Sequence, residues 1–544
     1  MKVRVALALV LLCGFVRADH PPTKPEGKAV LIAGLGNHHH PVSTRNALAQ
    51  KFFDQGLILL YAFNHDEAAR SFAQAAELDP NLAMAYWGLA LAKGPNYNLD
   101  ADSEQWKAAN AALLKALHLA SNAPEPERDY IKALAKRYSL DPDANRQKLA
   151  VAYKEAMGEL ARKYPDDLDA ATLYAESAMN LRPWKLWTPD GKPAEGTAEL
   201  LATLESVLRR NPNHPGANHY YIHAIEASPY PERGLACADR LRTLVPAAGH
   251  LVHMPSHIYM RVGDYAAAAR ANEEAIAADQ AYFKSHGTQG VYWLMYYPHN
   301  IHFLAAAHCF QGRFAAAKEA ADRLAAHVEP HIEEMPMLEG FLVTPTVVLV
   351  RFNRWDDILA SPSPGEKRPF TRATWHFARA LAHLAKGDVQ KAGQERKEFL
   401  AVKKTIPEDM KISDWNTAQH VLGIAAAVLD AKLALAGGDR RRTINLLRRA
   451  VRLEDALHYG EPPDWLMPVR ETLGAVLLGS GDAAGAEEVF RAGLAKHPRN
   501  GRCLFGLRES LKAQKKDYAA RLVEQELQAA WKNADSKELR LEDY

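Results

Sequence analysis

The sequence predicts an all-α fold, a solenoid of stacked helical hairpins, and three observations predict it. Alanine is abundant and recurs at helical spacing, while Val/Ile/Thr runs of period two are nearly absent. One short turn phrase returns along the chain: Gly or Asn, then an acidic or aromatic residue, then an Ala-rich stretch. Several of these turns lie 34 or 35 residues apart, the mark of a repeated unit. With 48% hydrophobic and 24% charged residues the chain has the composition of a folded protein, and 544 residues are too many for one ordinary core. Basic and acidic residues balance at 67 against 65, so no large field invites nucleic acid or acidic lipid.

The elements follow in chain order. Lys2 and Arg4 precede an apolar run from Val5 to Val16, and Val16-Arg17-Ala18 is an A-x-A-like cleavage site. Residues 1–18 therefore read as a secretory signal cleaved after Ala18, which predicts a periplasmic or secreted protein. A lipoprotein reading through Cys13 is the weaker alternative, because bulky Leu12 precedes it. No later apolar run approaches the roughly 18 residues of a spanning helix, so no transmembrane segment is expected. Residues 19–45 form an N-terminal segment carrying the triplet His38-His39-His40, either ligands in a loop folded over a groove or merely solvated. Removal of the leader leaves Cys237, Cys309 and Cys503, an odd and widely spaced set that reads as small buried residues.

Repeats begin in the block 46–180, where Asn64-His65-Asp66-Glu67-Ala68-Ala69 opens a helix. The phrase returns at Gly263-Asp264-Tyr265-Ala266, Gly312-Arg313-Phe314-Ala315, Gly387-Asp388-Val389, Gly481-Asp482-Ala483 and Lys516-Asp517-Tyr518. Pro229 to Gly263 and Asn353 to Gly387 are 34 residues, Gly481 to Lys516 is 35, and Gly263 to Gly312 is 49, which implies an insertion. These junctions resemble those between the two helices of a tetratricopeptide repeat (TPR). That resemblance implies units that bury their apolar faces only by stacking into one superhelix. A Pro/Trp-rich linker and helix occupies 181–212, a His-rich block 213–360 and a C-terminal block 361–544, with Pro-rich loops at 361–365 and 461–465.

Histidine makes up 23 of the 544 residues, yet it recurs in register within the middle block. Counted back from Gly263, His253 sits at minus ten and His257 at minus six; from Pro229, His219 and His223 hold the same slots. From Gly312, His302 is again at minus ten, flanked by His299 and His308. Residues four apart share a helix face, and packed helices lie about 8–10 Å apart, so these imidazoles converge. Pro255 is placed to open the helix of His257, leaving His250 and His253 on the preceding loop or cap. The expected metal ligands are therefore His219, His223, His250, His253, His257, His299, His302 and His308.

An imidazole set suits copper first, with zinc or iron next, better than calcium or magnesium. Six or more imidazoles suffice for two ions. Glu226 is a further ligand or a base, and Cys309 a soft ligand or an ordinary buried thiol. Tyr220, Tyr221, Tyr259, Tyr292, Tyr296 and Tyr297 crowd the same segment, as groove lining or, in the sharper alternative, for substrate stacking or redox relay. No phosphate-binding loop, dinucleotide fingerprint, H-E-x-x-H or nucleophile elbow occurs.

The stretches Phe53–Leu57, Phe63–Ala68, His253–His257 (H-M-P-S-H) and Pro298–Phe303 (P-H-N-I-H-F) resemble those of exported bacterial TPR proteins with a His-rich middle. The resemblance implies the scaffold and no particular chemistry. The expected function is an exported solenoid binding a transition metal through groove histidines, with a copper oxidoreductase ahead of a zinc hydrolase if it is an enzyme. The alternative is a non-enzymatic scaffold holding a partner protein or peptide. Either way, a small-molecule or peptide ligand is expected in the concave groove.

Overall fold

A computed structural model describes residues 28–141, 143–288, 290–413, 415–536 and 538–544. The proposed leader, 1–18, and residues 19–27 lie outside the described residues. From Ala47–Tyr61 to Asp517–Ala530 the chain is a succession of helices, and among the described residues only two isolated bridges, Trp187–Pro193 and Lys411–Thr417, break that pattern.

The recurring turn phrase has a physical basis visible at each hairpin. Gly263, Gly387, Gly438 and Gly481 take φ of 78° to 87°, the left-handed conformation that ends a helix without a Cβ penalty. The next residue, Asp264, Asp388, Asp439 or Asp482, sends its backbone N–H back to a carbonyl five residues earlier. Its carboxylate then accepts the N–H three residues on, at Ala267, Lys391, Arg442 or Gly485, and so starts the second helix. One Gly-Asp pair thus terminates one helix and nucleates its partner. Helices pair within hairpins (Pro369–Ala385 on Val389–Thr405, Ala418–Ala436 on Arg440–Asp455), and first helices of successive hairpins stack on each other. This is the helical-hairpin solenoid predicted.

The 49-residue gap is explained by the 22-residue helix Tyr265–His286 and a π-helical turn, Tyr292–Tyr296, that feeds Tyr297–Phe310. One expectation needs correcting. Ala418–Ala436 reaches 19 residues and is apolar enough to cross a membrane by length and composition. Half of its apolar stretch is buried among neighbouring helices, as in the core helix of a hairpin stack. The superhelix also returns on itself: the Tyr265 hydroxyl donates to Pro498 O at 2.8 Å, and Asp535 N–H to Gly312 O at 3.0 Å.

Candidate metal centre

Three neighbouring hairpins deliver the middle histidines. Pro215–Ile225 carries His219 and His223, Gly249–His253 carries His250 and His253, and Pro255–Val262 carries His257 with Pro255 in its first turn. Tyr297–Phe310 carries His299, His302 and His308. His219, His223, His250, His253 and His257 are each at most 2% exposed, and His299 is half-buried.

They sort into two triads whose ligating atoms lie within 4.8 Å of one another: His219/His223/His250 and His253/His257/His299. The triads abut. The His250 and His253 rings stack at 5.7 Å between centroids, and His223 meets His257 at 5.7 Å.

Hydrogen bonds fix which nitrogen points inward. His219 Nδ1–H donates to Tyr61 O at 2.6 Å, and His223 Nδ1–H to Glu226 Oε1 at 2.7 Å. His257 Nδ1–H donates to Glu226 Oε2 at 2.5 Å, and His253 Nδ1–H to Asn272 Oδ1 at 2.6 Å. The Asn272 amide is oriented by its own donation to Ala268 O at 2.7 Å, so an oxygen faces His253. Four imidazoles therefore spend their N–H outward and present a bare Nε2 inward, the arrangement that orients histidine around a metal. His219 Nε2, His223 Nε2 and both nitrogens of His250 are buried without a partner. His253 Nε2 and His257 Nε2 face each other at 2.9 Å. Two lone pairs that close repel unless a cation sits between them, and two nitrogens about 2.0 Å from one ion lie roughly 3 Å apart.

A proton is a poor occupant. Burial first, and then the neighbouring imidazoles, push His219, His250, His253 and His299 well below the ordinary imidazole range. Glu226 shows the opposite balance: burial would raise its carboxyl, but its electrostatic interaction with His257 and the hydrogen bonds from His223 and His257 hold it at about 2. It is ionised, and one carboxylate oxygen serves each triad. Glu226 is thus neither ligand nor base but the anchor shared by both halves. Tyr459, from the C-terminal block, reaches it at 3.3 Å. Asp279, raised to about 7 by burial, accepts from the Tyr292 hydroxyl (2.8 Å), which in turn accepts the His250 backbone N–H (3.0 Å). The π-turn therefore positions His250.

Two expected ligands stand elsewhere. His302 lies one turn beyond His299 against the Phe341 ring, on the wall of a cavity that His299 also lines, and His308 sits 4.0 Å from Glu273. Neither joins a triad. Cys309 is fully buried, and burial pushes its thiol up to about 12, so it behaves as a small apolar residue. Cys237 and Cys503 are likewise buried and free. Tyr220, Tyr221, Tyr259, Tyr292, Tyr296 and Tyr297 are all buried, and Tyr296 packs on His250 at 4.8 Å. Asn272, Tyr61 and Asp279 carry no motif, and nothing in the sequence singles them out.

The His38-His39-His40 segment folds against the body at a different place. Asp169 Oδ1 accepts from His38 Nε2–H (2.9 Å), His214 Nε2–H (3.1 Å) and Tyr61 Oη–H (2.6 Å), and Oδ2 accepts from His40 Nδ1–H (2.9 Å). His214 Nδ1 meanwhile accepts the Ala217 N–H as a helix cap, so its only proton is on Nε2. The His214 ring, with both nitrogens so committed, has no lone pair for an ion; the cluster is a hydrogen-bonded clasp in which His40, Asp167 and Asp169 still stand close enough to hold one.

No family model matches the chain, and no curated protein matches it. Solved helical structures align over most of its length. Human IFIT1 dimer with m7Gppp-AAAA is 14% identical over 90% of this chain and 91% of its own, with a TM-score of 0.34. Yeast Tom70 is 14% identical over 88% and 96%, TM-score 0.32, and the APC/C hetero-tetramer Cut9–Hcn1 is 12% identical over 91% and 95%, TM-score 0.28. At these scores nothing about function is taken from the likeness. The chain is, by its own geometry, an all-α solenoid of stacked helical hairpins.

Proposed function

We propose that this solenoid holds a pair of transition-metal ions, one on His219, His223 and His250 and the other on His253, His257 and His299. The single observation that carries the reading is the inward set of bare Nε2 atoms, pinned by outward N–H bonds in a pocket where protonation is disfavoured. Each buried nitrogen without a partner costs about 1–3 kcal/mol, and a shared ion removes several such penalties at once. An all-imidazole set selects copper first and zinc or iron next. Paired three-imidazole ions beside an open cavity suit a metal-dependent oxidoreductase, and the leader at 1–18 suits a periplasmic or secreted one.

The second reading is a non-enzymatic scaffold that holds a peptide or protein in its groove. It is favoured by the hairpin architecture and by the lack of a standard enzyme motif. Five of the six imidazoles are too buried to meet a peptide without opening the stack, so that partner would have to bind outside the triads.

Elemental analysis of untagged protein separates the two. The expected result is about two ions per chain, falling to about one in His223→Ala or His253→Ala. Less than about 0.2 ion per chain after purification with copper, zinc and iron offered in turn would sink the metal reading. A protein partner retained after chelation would then favour the scaffold.

A further inference from the structure

The two triads differ in what covers them. Phe63 lies over the first, stacked on His223 at 5.8 Å and on His250 at 5.5 Å, and edge-on to His219 at 4.6 Å. Tyr97 meets His223 at 5.3 Å and Tyr296 meets His250 at 4.8 Å, and all three of these aromatic residues are buried. The Nε2 atoms of His219 and His223 and both nitrogens of His250 accordingly have almost no accessible surface.

The second triad is open on one side. His253 and His257 are sealed, with the buried Phe303 ring against them at 4.7 Å and 4.6 Å. His299 is only half-buried, and it lines a cavity of about 170 Å³. Among the described residues its ring nitrogens have no hydrogen-bond partner, yet they are not shut away like those of the first triad. Trp184, on the wall of the same cavity, meets His223 edge-on at 5.5 Å and so screens the first triad from it.

Coordination chemistry turns this difference in cover into a difference in reactivity. Three imidazoles leave an ion one position short of a tetrahedron, and a catalytic ion keeps that position for water or substrate. At the first triad, aromatic rings crowd the space a fourth donor needs. At the second, a small donor arrives from the cavity beside His299. The cavity selects by size rather than by charge, since Met295, Phe341 and Phe370 are apolar and no Lys or Arg lines it. An apolar cavity of about 150 Å³ takes a benzene ring, so the entrant is no larger than about one ring.

We infer that the two ions are unequal: the one on His253, His257 and His299 binds an exogenous electron-pair donor through the cavity, and the one on His219, His223 and His250 is closed to it. The inference rests on the metal reading above and assigns its reacting ion. Binding is coordination alone, the donor's lone pair taking the place of a bound water.

The test uses the full chain loaded with copper(II), or with cobalt(II) should copper not be retained. Ions are counted by elemental analysis, azide is added, and its binding is followed by the absorption of the ions. The unaltered chain, with two ions, is expected to saturate at one azide. His219→Phe removes a ligand of the closed ion without touching Glu226, and the ion that remains is expected to take one azide. His299→Phe removes a ligand of the open ion while keeping a ring in its place, and the ion that remains is expected to take none. Met295→Trp, on the cavity wall four residues before His299, is expected to weaken azide at least about ten-fold with both ions kept. Val347→Trp serves in its place should that variant not fold. Less than about 0.2 ion per chain with every metal offered overturns the metal reading and this inference with it. Two ions with no azide, two azides per chain, azide on the ion left in His299→Phe, or unchanged binding in the cavity-filled chain overturns this inference alone.

Discussion

At the scale of single residues, Glu226 is where the centre is most exposed to test. Its carboxylate accepts one N–H from each triad, which holds both His223 and His257 in the tautomer with Nε2 bare. Glu226→Gln keeps the shape but replaces one acceptor oxygen with an NH2 donor. One of the two imidazoles must then turn its proton inward, against the ion. A 10–100-fold loss of metal affinity is expected, measured by competition with a chromophoric chelator, with helix content by circular dichroism unchanged. An affinity within two-fold of the unaltered chain would remove Glu226 from this role. The convergence of the middle histidines was legible in the sequence because repeat register places His219, His223, His253 and His257 on facing helices. His302 was misplaced for an axial reason. It shares a helix face with His299 but stands three residues further along, about 4.5 Å, which carries it past the triad to Phe341. No register argument could see that the π-turn Tyr292–Tyr296 sets where this helix begins.

At the scale of elements, the segment 28–45 has no helix or strand and is held by side chains of the body. Asp169 takes His38 and His40, while Gln55, Asp54, Gln50 and Glu127 accept the backbone N–H groups of Ile32, His40, Val42 and Ser43. Around His40 stand Asp169, Asp167, Asp54 and Glu127, with Tyr130 edge-on at 5.6 Å and His38 sharing Asp169. Burial opposes charge on His40, but the Asp169 bond and the surrounding carboxylates outweigh it and the imidazole is raised. Asp169 lies well below the usual carboxylate range: burial would raise it, and His38, His214 and His40 more than reverse that. The raised His40 stabilises the clasp fully below its unfolded value of about 6.5 and loses that contribution as pH rises through the folded value. Asp169 contributes above about 3.9 and is lost only in strong acid. The clasp is therefore tightest between about pH 4 and 6.5, and amide exchange across 28–45 is expected to be faster at about pH 8.5 than at about pH 5.5 once intrinsic rates are removed. Asp169→Asn should erase that difference. Equal protection at both pH values would show that packing, not charge, holds the segment. The sequence showed the triplet but not its partner, because Asp169 lies 129 residues beyond His40 and only the folded superhelix brings them together.

At the scale of the whole molecule, the Gly-Asp turns that make each hairpin local also decide where distant hairpins touch. Gly263 and Gly387 occupy equivalent turns with φ of 78° and 80°, so an alanine at either meets the same left-handed strain, about 1 kcal/mol. Their surroundings differ. A Cβ at Gly387 meets nothing within 4 Å, whereas one at Gly263 would lie 2.3 Å from Pro498 O, the carbonyl that also receives the Tyr265 hydroxyl. Pro498 belongs to the turn between Ala483–Lys496 and Gly501–Ala513, so this contact joins the C-terminal block to the hairpin that carries His253 and His257. Tyr459 and its bond to Glu226 belong to the same return of the chain. Gly263→Ala must therefore push the two blocks apart as well as strain its own turn. It is expected to destabilise the protein by about 1–3 kcal/mol more than Gly387→Ala in urea unfolding, with metal affinity falling only in the former. Equal losses from the two substitutions would mean that the C-terminal block leans on the histidine-bearing hairpins without bracing them, and that the triads are held by their own three hairpins alone.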